Sequence, residues 1–448
     1  MANAAEQMAR NVNLGTFAKA KDLQNRILFT LGMLLLYRLG TFIPIPGLDP
    51  VAYASIFESQ SGGLLGNMNM FAGGAVERMG VFALNVMPYI TASIIIQMMT
   101  QASPTLEKLK KEGEAGRKKL NQYTRYGTVG LCALQGYFLA VSLEAYGASS
   151  GMQAVVDPGY VFRIGAVISL VGGTMFLLWL GEQITARGVG NGVSLIIFAG
   201  IVAELPRALV NALQAGASGS IAGPVIIAML VGIVVVLAFV VFMERSQRRL
   251  LIQYPKRQVG NRMMGGESSF LPLKLNTAGV IPAIFASSLL LLPATIQGFS
   301  QSGPDWLANI VAMLGPGQPL FLAFYAAMII FFTFFYTSLV FNPEETADNL
   351  KKYGGFLPGI RPGKRTAEYL DYVLTRLTVI GAAYLTLVCV LPEFLKAQVS
   401  GIPFYIGGTS LLIVVSVTLD TVGQIQSHLL AHQYEGLIKK TKLRGRKR

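Results

Sequence analysis

Residues 86–93 read VMPYITAS, and residues 280–287 read VIPAIFAS. Five of these eight positions are identical, and each copy belongs to a separate long apolar stretch of the chain. The first copy falls in the second apolar stretch, and the other copy falls in the seventh. Two stretches that lie five apart cross a membrane in opposite directions, so the pattern predicts two inverted halves whose interface carries the function. Chance similarity within apolar sequence is the alternative interpretation.

The composition is that of a membrane protein. Hydrophobic residues make up 52% of the 448 residues, charged residues only 13%, and the mean hydropathy is +0.52. A bilayer core of about 30 Å requires about 20 residues of helix. The chain offers ten such stretches, near 27–47, 79–100, 126–147, 160–181, 191–206, 222–243, 277–297, 319–341, 374–394 and 403–422.

Lys and Arg residues are distributed unevenly between the two sides of these spans. Of the 37, all but Arg38, Arg78, Arg163, Arg207 and Lys396 lie in the two termini or in alternate loops. The positive-inside rule therefore predicts that both termini are cytoplasmic. Residues 1–26 are polar and basic, without the apolar core of a cleavable signal peptide, so we expect the first span to direct insertion.

Patterns for catalysis or metal binding are weak. Cys132 and Cys389 both lie inside predicted spans, which favours packed thiols over a disulfide or metal site. His428 and His432 have a metal-compatible spacing but no third ligand in view. The motif GIRPGKRT at 359–366 has three residues between its glycines, whereas a phosphate-binding P-loop has four. We therefore expect no cofactor, and energy that comes from a partner.

The repeated prolines predict a constriction between the halves. Each proline removes a backbone hydrogen bond and is expected to bend its helix. Ile90 and Ile284 follow two residues later, so the repeat places equivalent apolar side chains at similar depth. A ring of such side chains at the narrowest point of a pore excludes water and ions. Ordinary helix packing is the alternative interpretation.

Two predicted cytoplasmic loops, 244–276 and 341–373, are long, basic and rich in proline and glycine. Positive-inside bias alone explains their charge, but their length and turn residues favour rigid projections that present arginine to an anionic partner. A third stretch, GGLLGNMNMFAGG at 62–74, is apolar but too short to span a bilayer.

Several long motifs, in order along nearly the whole chain, closely resemble bacterial SecY, the large subunit of the Sec protein-conducting channel. They include RLGTFIPIPG (38–47), MPYITASIIIQ (87–97), KKEGEAGRKKLNQYTRYGT (110–128), LPLKLNTAGVIPAIFASS (271–288) and FLPGIRPG (356–363). The resemblance implies an all-α polytopic membrane protein. Its ten transmembrane helices form two inverted halves, residues 1–210 and 211–448, around a central hourglass pore.

The resemblance also implies roles for individual residues. A pore ring is expected from Val86, Ile90, Val193, Ile197, Ile284 and Ile413. The stretch 62–74 is expected to form a plug that seals against the ring through Leu64, Leu65, Met68, Met70 and Phe71. A lateral gate between helices two and three and helices seven and eight is expected to hold Gln135 and Asn276, which could instead cap or bridge neighbouring helices. Partner docking is expected at Lys256, Arg257, Arg262 and Arg361, while Asn261 stands where the family commonly has an arginine.

The expected partners are SecE-like and SecG-like small membrane subunits, the motor ATPase SecA, the ribosome, a secretory polypeptide with its signal sequence, and anionic lipids. The expected location is the bacterial inner membrane, and the chain is expected to be a passive channel rather than an enzyme. A secondary transporter of a small solute is the alternative, since inverted repeats also occur there. Such a transporter needs ionisable residues at mid-membrane, and the predicted spans hold few.

Overall fold

The computed structural model describes residues 20–60, 69–150, 154–218, 223–254, 257–259, 262–264, 268–297, 318–398 and 407–445. The helices are α1 (Lys21–Gly40), α2 (Pro50–Gln60), α3 (Met87–Ala102), α4 (Pro104–Lys111), α5 (Glu114–Ser150), α6 (Tyr160–Arg187), α7 (Gly192–Ala217), α8 (Gly223–Arg245), α9 (Ile281–Gln297), α10 (Pro319–Val340), α11 (Pro343–Lys352), α12 (Lys364–Gln398) and α13 (Gly408–Gly445). Between α8 and α9 lie four strands, β1 (Gln247–Gln253), β2 (Arg257–Val259), β3 (Arg262–Met264) and β4 (Ser268–Lys274).

Each of the ten predicted spans overlaps one of these helices, and the predicted fold class is confirmed. Seven described helices, α5 to α8, α10, α12 and α13, are long and apolar enough to cross a membrane. Helices α3 and α9, which carry the repeat, are shorter, with 16 and 17 residues. The chain is therefore a multi-pass helical membrane protein.

Several boundaries differ from the prediction. The loop 341–373 contains α11 and the first turns of α12, and the basic tail continues α13 to Gly445. Residue 210 lies inside α7, which ends at Ala217. The division of the chain into two halves itself stays a prediction.

The prolines of the repeat do not bend their helices, so that expectation was wrong. The predicted spans began at residues 79 and 277, whereas α3 begins at Met87 and α9 begins at Ile281. Pro88 and Pro282 thus lie in the first turn, where a missing N–H breaks no helical hydrogen bond. Each proline marks the start of a helix in the same place within its copy.

The two copies also share the backbone that precedes the helix. Asn85 and Gly279 each stand directly before the repeat, with φ angles of +49° and +65°. In both copies the backbone N–H of the isoleucine donates to the carbonyl of the first valine, from Ile90 to Val86 at 3.1 Å and from Ile284 to Val280 at 3.2 Å. The two copies therefore share backbone geometry as well as sequence, which supports the internal repeat.

A close crossing of α6 and α7 fixes the start of α7. Gly181 of α6 and Gly192 of α7 lie backbone to backbone, so that a Cβ added at Gly192 would stand 1.8 Å from the Gly181 carbonyl oxygen. The Gly192 N–H donates to Thr185 Oγ1 at 2.9 Å, which satisfies a backbone group at the helix N-terminus. This crossing positions Val193, whose side chain lies next to Gly181.

The first of the two predicted cytoplasmic loops contains a β-ribbon. Strands β1 and β4 pair antiparallel, with Gln247 opposite Lys274 at one end and Gln253 opposite Ser268 at the other. Strands β2 and β3 pair in the same way in the part of the loop between β1 and β4. At the end of β1 the ribbon pairs with the second loop, because Gln253 and Phe356 exchange backbone hydrogen bonds of 2.9 and 3.0 Å.

Gly192→Ala is expected to lower the free energy of unfolding by about 1–3 kcal/mol, because extra atoms in a tight contact force the backbones apart. Gly165→Ala in α6 is the control, since a Cβ there meets nothing within 4 Å. Thermal unfolding of both variants in detergent gives the comparison. Equal Tm values for the two variants would contradict the close crossing.

Candidate functional site

The six predicted ring residues lie in one continuous apolar cluster. Val86, Ile90, Ile197 and Ile413 are buried within it, and Val193 and Ile284 are partly buried against it. Their helices pack in two pairs, α3 with α9 and α7 with α13. Each pair joins a helix from before the predicted midpoint of the chain to one from after it. The cluster is large, so the ring role of these six residues stays a prediction.

Helix α9 forms a seam with α3 and α5. It packs against both helices, and the Ser288 hydroxyl lies 3.6 Å from the Met87 sulfur. On its other side Phe285 makes edge-on ring contacts with Phe332 and Tyr336 of α10. The seam therefore joins the helices between which a lateral gate was predicted.

Part of the predicted plug lies outside the described residues, namely Leu64, Leu65 and Met68. Of the remainder, Met70 is buried in the apolar cluster and Phe71 is partly buried against it. The Phe71 carbonyl accepts a hydrogen bond of 2.5 Å from Asn85, and the Ala72 carbonyl accepts one of 3.2 Å from the Tyr37 hydroxyl. The described end of the predicted plug is thus tied to α1 and to Asn85 in the turn before α3.

Charged residues hold the same segment. Arg38 donates to the Gly73 carbonyl, and its second terminal nitrogen lies 3.9 Å from Glu204 of α7. Arg207, one turn further along α7, pairs with Glu77 through two hydrogen bonds of 2.7 and 2.9 Å. We call residues 69–78, with these contacts, the clamped segment.

The contacts of the clamped segment were not predicted from the sequence, although the distribution of arginine residues could have indicated them. Four of the five basic residues outside the predicted cytoplasmic loops have a specific contact. Arg38 and Arg207 bind the clamped segment, Arg163 pairs with Glu144 at 2.6 Å, and the Arg78 guanidinium lies 4.2 Å from the centre of the Phe42 ring. An arginine that departs from the positive-inside rule needs a local partner.

The two gate candidates occupy different surroundings. Gln135 is buried on α5, the helix that meets α9 at the seam. Asn276 is buried too, but its amide donates to Glu244 of α8 at 2.8 Å and to the Gly279 carbonyl at 3.0 Å. Both bonds keep it on the α8 side of α9, as expected if Asn276 bridges neighbouring helices. The gate role of both residues remains a prediction.

The docking candidates lie in the two predicted cytoplasmic loops. Lys256 lies outside the described residues, while Arg257 and Arg262 belong to the small ribbon of β2 and β3. Arg361 is exposed in the turn before α12, between Gly359 and Gly363, whose φ angles are +81° and +105°. Its carbonyl accepts a 2.9 Å hydrogen bond from Thr366, so the backbone that presents the guanidinium is fixed.

The described residues of the site pack against each other and form hydrogen bonds and ion pairs. Cys132 and Cys389 are free and buried, as predicted. The described residues contain no group of three or more His, Cys, Asp and Glu side chains that could hold a metal ion. What the arrangement offers is an apolar cluster between pairs of helices, a seam, and a clamped segment.

These features define a class: a multi-pass helical membrane protein whose helices pack around an extended apolar cluster. A sequence model of the SecY family matches residues 80–422. The protein translocase subunit SecY of Rickettsia bellii (strain RML369-C) is 53% identical over 426 residues, which are 95% of this chain and 98% of that protein. The chain belongs to the SecY family.

Solved structures agree with the fold. A SecY structure, described as having a plug domain that stabilises the closed translocation channel and maintains a membrane seal, matches with a TM-score of 0.62 at 19% identity. Canine Sec61, in a ribosome–channel complex from the endoplasmic reticulum, matches with a TM-score of 0.58 at 18% identity. Each match covers 91% of this chain and 92% of the other.

Glu204→Gln is expected to loosen the clamped segment, because a neutral amide loses the attraction to Arg38. A single cysteine at Met70, with Cys132 and Cys389 replaced by alanine, is expected to react with a thiol reagent about two- to fivefold faster, since such a pair contributes about 0.5–1 kcal/mol.

Glu107→Gln is the matched control for this labelling. Glu107 pairs with Lys111 at 2.7 Å on the exposed helix α4, and the hydrogen bond from Lys111 lowers the pKa of the Glu107 carboxyl. An exposed pair of this kind has little effect elsewhere in the molecule. Equal labelling rates for the two Gln variants would show that Glu204 does not hold the segment.

Proposed function

We propose that this chain is the channel subunit of a protein translocase and conducts unfolded polypeptides across a membrane. The observation that carries the proposal is the apolar cluster where α3 packs on α9 and α7 packs on α13, with Met70 of the predicted plug inside it. Membership of the SecY family, whose Rickettsia bellii member is a protein translocase subunit, agrees with it.

The proposed pore ring consists of Val86, Ile90, Val193, Ile197, Ile284 and Ile413. Branched aliphatic side chains carry no hydrogen-bonding groups, so a narrow ring of them holds back water and ions without binding a passing chain. Such side chains can also move apart and close again, because their packing is not directional. A polypeptide of any sequence could therefore pass through the same ring.

The proposed plug is the stretch 62–74, whose Met70 and Phe71 belong to or pack against the same apolar cluster as the proposed ring residues. The clamped segment fixes its far end to α1 and α7, so that opening would displace the residues before it and leave the anchor in place. The solved SecY structure with a sealing plug domain supports this role.

The proposed lateral gate is the seam of α9 with α3 and α5. The described contact between Ser288 and Met87 is weak, since a hydroxyl–thioether contact is a poor hydrogen bond. Among these described contacts no strong hydrogen bond therefore opposes parting of the helices. An apolar signal helix of about 7–15 residues could then leave the pore for the lipid.

The chain is proposed to lie in a bacterial inner membrane with both termini in the cytoplasm. Partners that bind from the cytoplasmic side are proposed to supply the energy for translocation. The exposed basic residues of the two loops suit the acidic surfaces of a motor such as SecA and the phosphates of ribosomal RNA. The ribosome-bound Sec61 structure supports the second partner. SecE-like and SecG-like subunits and anionic lipids complete the proposed surroundings, and the chain itself is proposed to have no ATPase activity.

The alternative of a small-solute transporter is set aside. It required ionisable residues at mid-membrane, and the ion-paired residues Arg38 and Arg163 lie near the ends of α1 and α6. The SecY family match decides between the two interpretations.

A single cysteine at Ile284, in a protein lacking Cys132 and Cys389, is expected to crosslink to a secretory chain arrested during export. The crosslink is expected to require both the arrested chain and SecA. A cysteine at Val235, 60% exposed on α8, is the control and is expected to give no crosslink. Normal export with no crosslink at Ile284, Ile90 or Ile413 would place the pore elsewhere.

Arg361→Glu is expected to reduce SecA-driven translocation at least about tenfold while membrane insertion stays normal, because repulsion between like charges at an interface costs several kcal/mol. Lys351→Glu, an exposed residue of α11 in the same loop, is the charge-matched control. Translocation into proteoliposomes measures both variants. An equal loss in both would assign the effect to net charge and not to the Arg361 turn.

A further inference from the structure

We infer that Asn276 is a positioning residue that couples the two cytoplasmic loops to α9 at the seam. The inference rests on the proposed channel function, because it concerns how a partner bound to the loops opens the proposed gate. Its basis is a continuous series of described contacts that begins in the loops and ends at Met87.

The two loops form one body at their base. Gln253 and Phe356 exchange two backbone hydrogen bonds, and Gly355 lies so close to Ile252 and Tyr254 that an added Cβ would stand about 3 Å from each side chain. Beneath them lies an apolar cluster that is separate from the main core, formed by Leu250, Leu273, Leu357, Leu370, Val373 and Leu377. Since ribbon, turn and α12 all contribute to it, a partner that displaces one loop displaces the other.

The ribbon leads directly into α9. The Leu275 N–H donates to the Ser246 carbonyl at 3.0 Å, which closes the base of the ribbon next to the end of α8. Only residues 275–280 then separate the ribbon from α9, which begins at Ile281. A segment this short transmits displacement if it cannot bend.

Asn276 holds that segment from the inside. Its amide donates to Glu244 on α8 and to the Gly279 carbonyl within the segment. On the opposite side, a Cβ at Gly381 of α12 would stand 3.2 Å from the Leu275 carbonyl oxygen and 3.6 Å from the Asn276 Cα. The start of the segment, at Leu275 and Asn276, therefore contacts both α8 and α12.

The far end of the series is the seam. Helix α9 packs against α3 and α5, and Ser288 touches Met87. A tilt of the loops is therefore expected to move α9 relative to α3, provided that Asn276 keeps segment 275–280 rigid. Without the Asn276 amide, the segment can deform and absorb the displacement.

The test measures the seam while a partner binds the loops. The parent protein carries Cys132→Ala, Cys389→Ala, Met87→Cys and Ser288→Cys, so that its disulfide forms only while the seam is closed. Purified SecA with a non-hydrolysable ATP analogue is expected to slow disulfide formation. Asn276→Ala is expected to weaken this slowing about fivefold or more, the size of a moderate coupling between sites, while its affinity for SecA stays unchanged.

Two variants separate positioning from general damage. Glu244→Gln keeps an acceptor oxygen for the Asn276 amide and is expected to behave like the parent. Thr277→Ala removes a neighbouring hydroxyl that bonds only the Lys274 carbonyl among its described contacts, and it is expected to change nothing. If Asn276→Ala responds to SecA as fully as Thr277→Ala does, the inference is overturned.

A charge-paired variant covers the case in which Asn276→Ala does not fold. Asn276→Asp alone sets a carboxylate against Glu244 and is expected to lose the response. Combined with Glu244→Gln, the new amide can donate to the aspartate, and the response is expected to return. No recovery in the double variant would overturn the inference. A parent protein that neither binds SecA nor exports would contradict the proposed function instead.

Discussion

Backbone polar groups inside a membrane must be satisfied by the protein itself, and the architecture depends on this constraint. The chain is not yet helical before Met87 and before Ile281, within two predicted spans. In each place a left-handed residue, Asn85 or Gly279, turns the chain, and the following helix has a proline in its first turn, where no donor is needed. Irregular backbone of this kind is tolerated only where protein surrounds it, and here the two turns precede α3 and α9, which pack against each other.

The same constraint explains the surroundings of the clamped segment. Its carbonyls at Phe71, Ala72 and Gly73 accept hydrogen bonds from Asn85, Tyr37 and Arg38. Helix α1 and the turn before α3 thus supply the donors that a regular helix would have supplied internally. Satisfying this irregular backbone therefore draws α1 and the start of α3 together, and the ion pairs of Glu204 with Arg38 and of Arg207 with Glu77 join α7 to them.

Much of the fold could be predicted from the sequence, and the predictions that were wrong or missing have identifiable physical reasons. Hydropathy located all ten spans because length and apolar content alone decide them, and the repeat located the helix pair at the seam. The prediction that the helices bend at Pro88 and Pro282 was wrong, because hydropathy cannot distinguish an apolar turn from an apolar helix. Asn276 was assigned to the gate by resemblance alone, since only coordinates reveal that its amide faces Glu244. The ion pair of Arg207 with Glu77 joins residues 130 apart in sequence, so no local pattern predicts it.

The bridge between Gln253 and Phe356 consists entirely of main-chain hydrogen bonds. Such bonds form with almost any side chain at the two positions, because every residue except proline has the same donor and acceptor. The outer residues of both loops can therefore be replaced without loosening the base on which they stand. The surface that the loops present and the framework that holds them together are thus specified by different atoms, side chains for the first and main chain for the second.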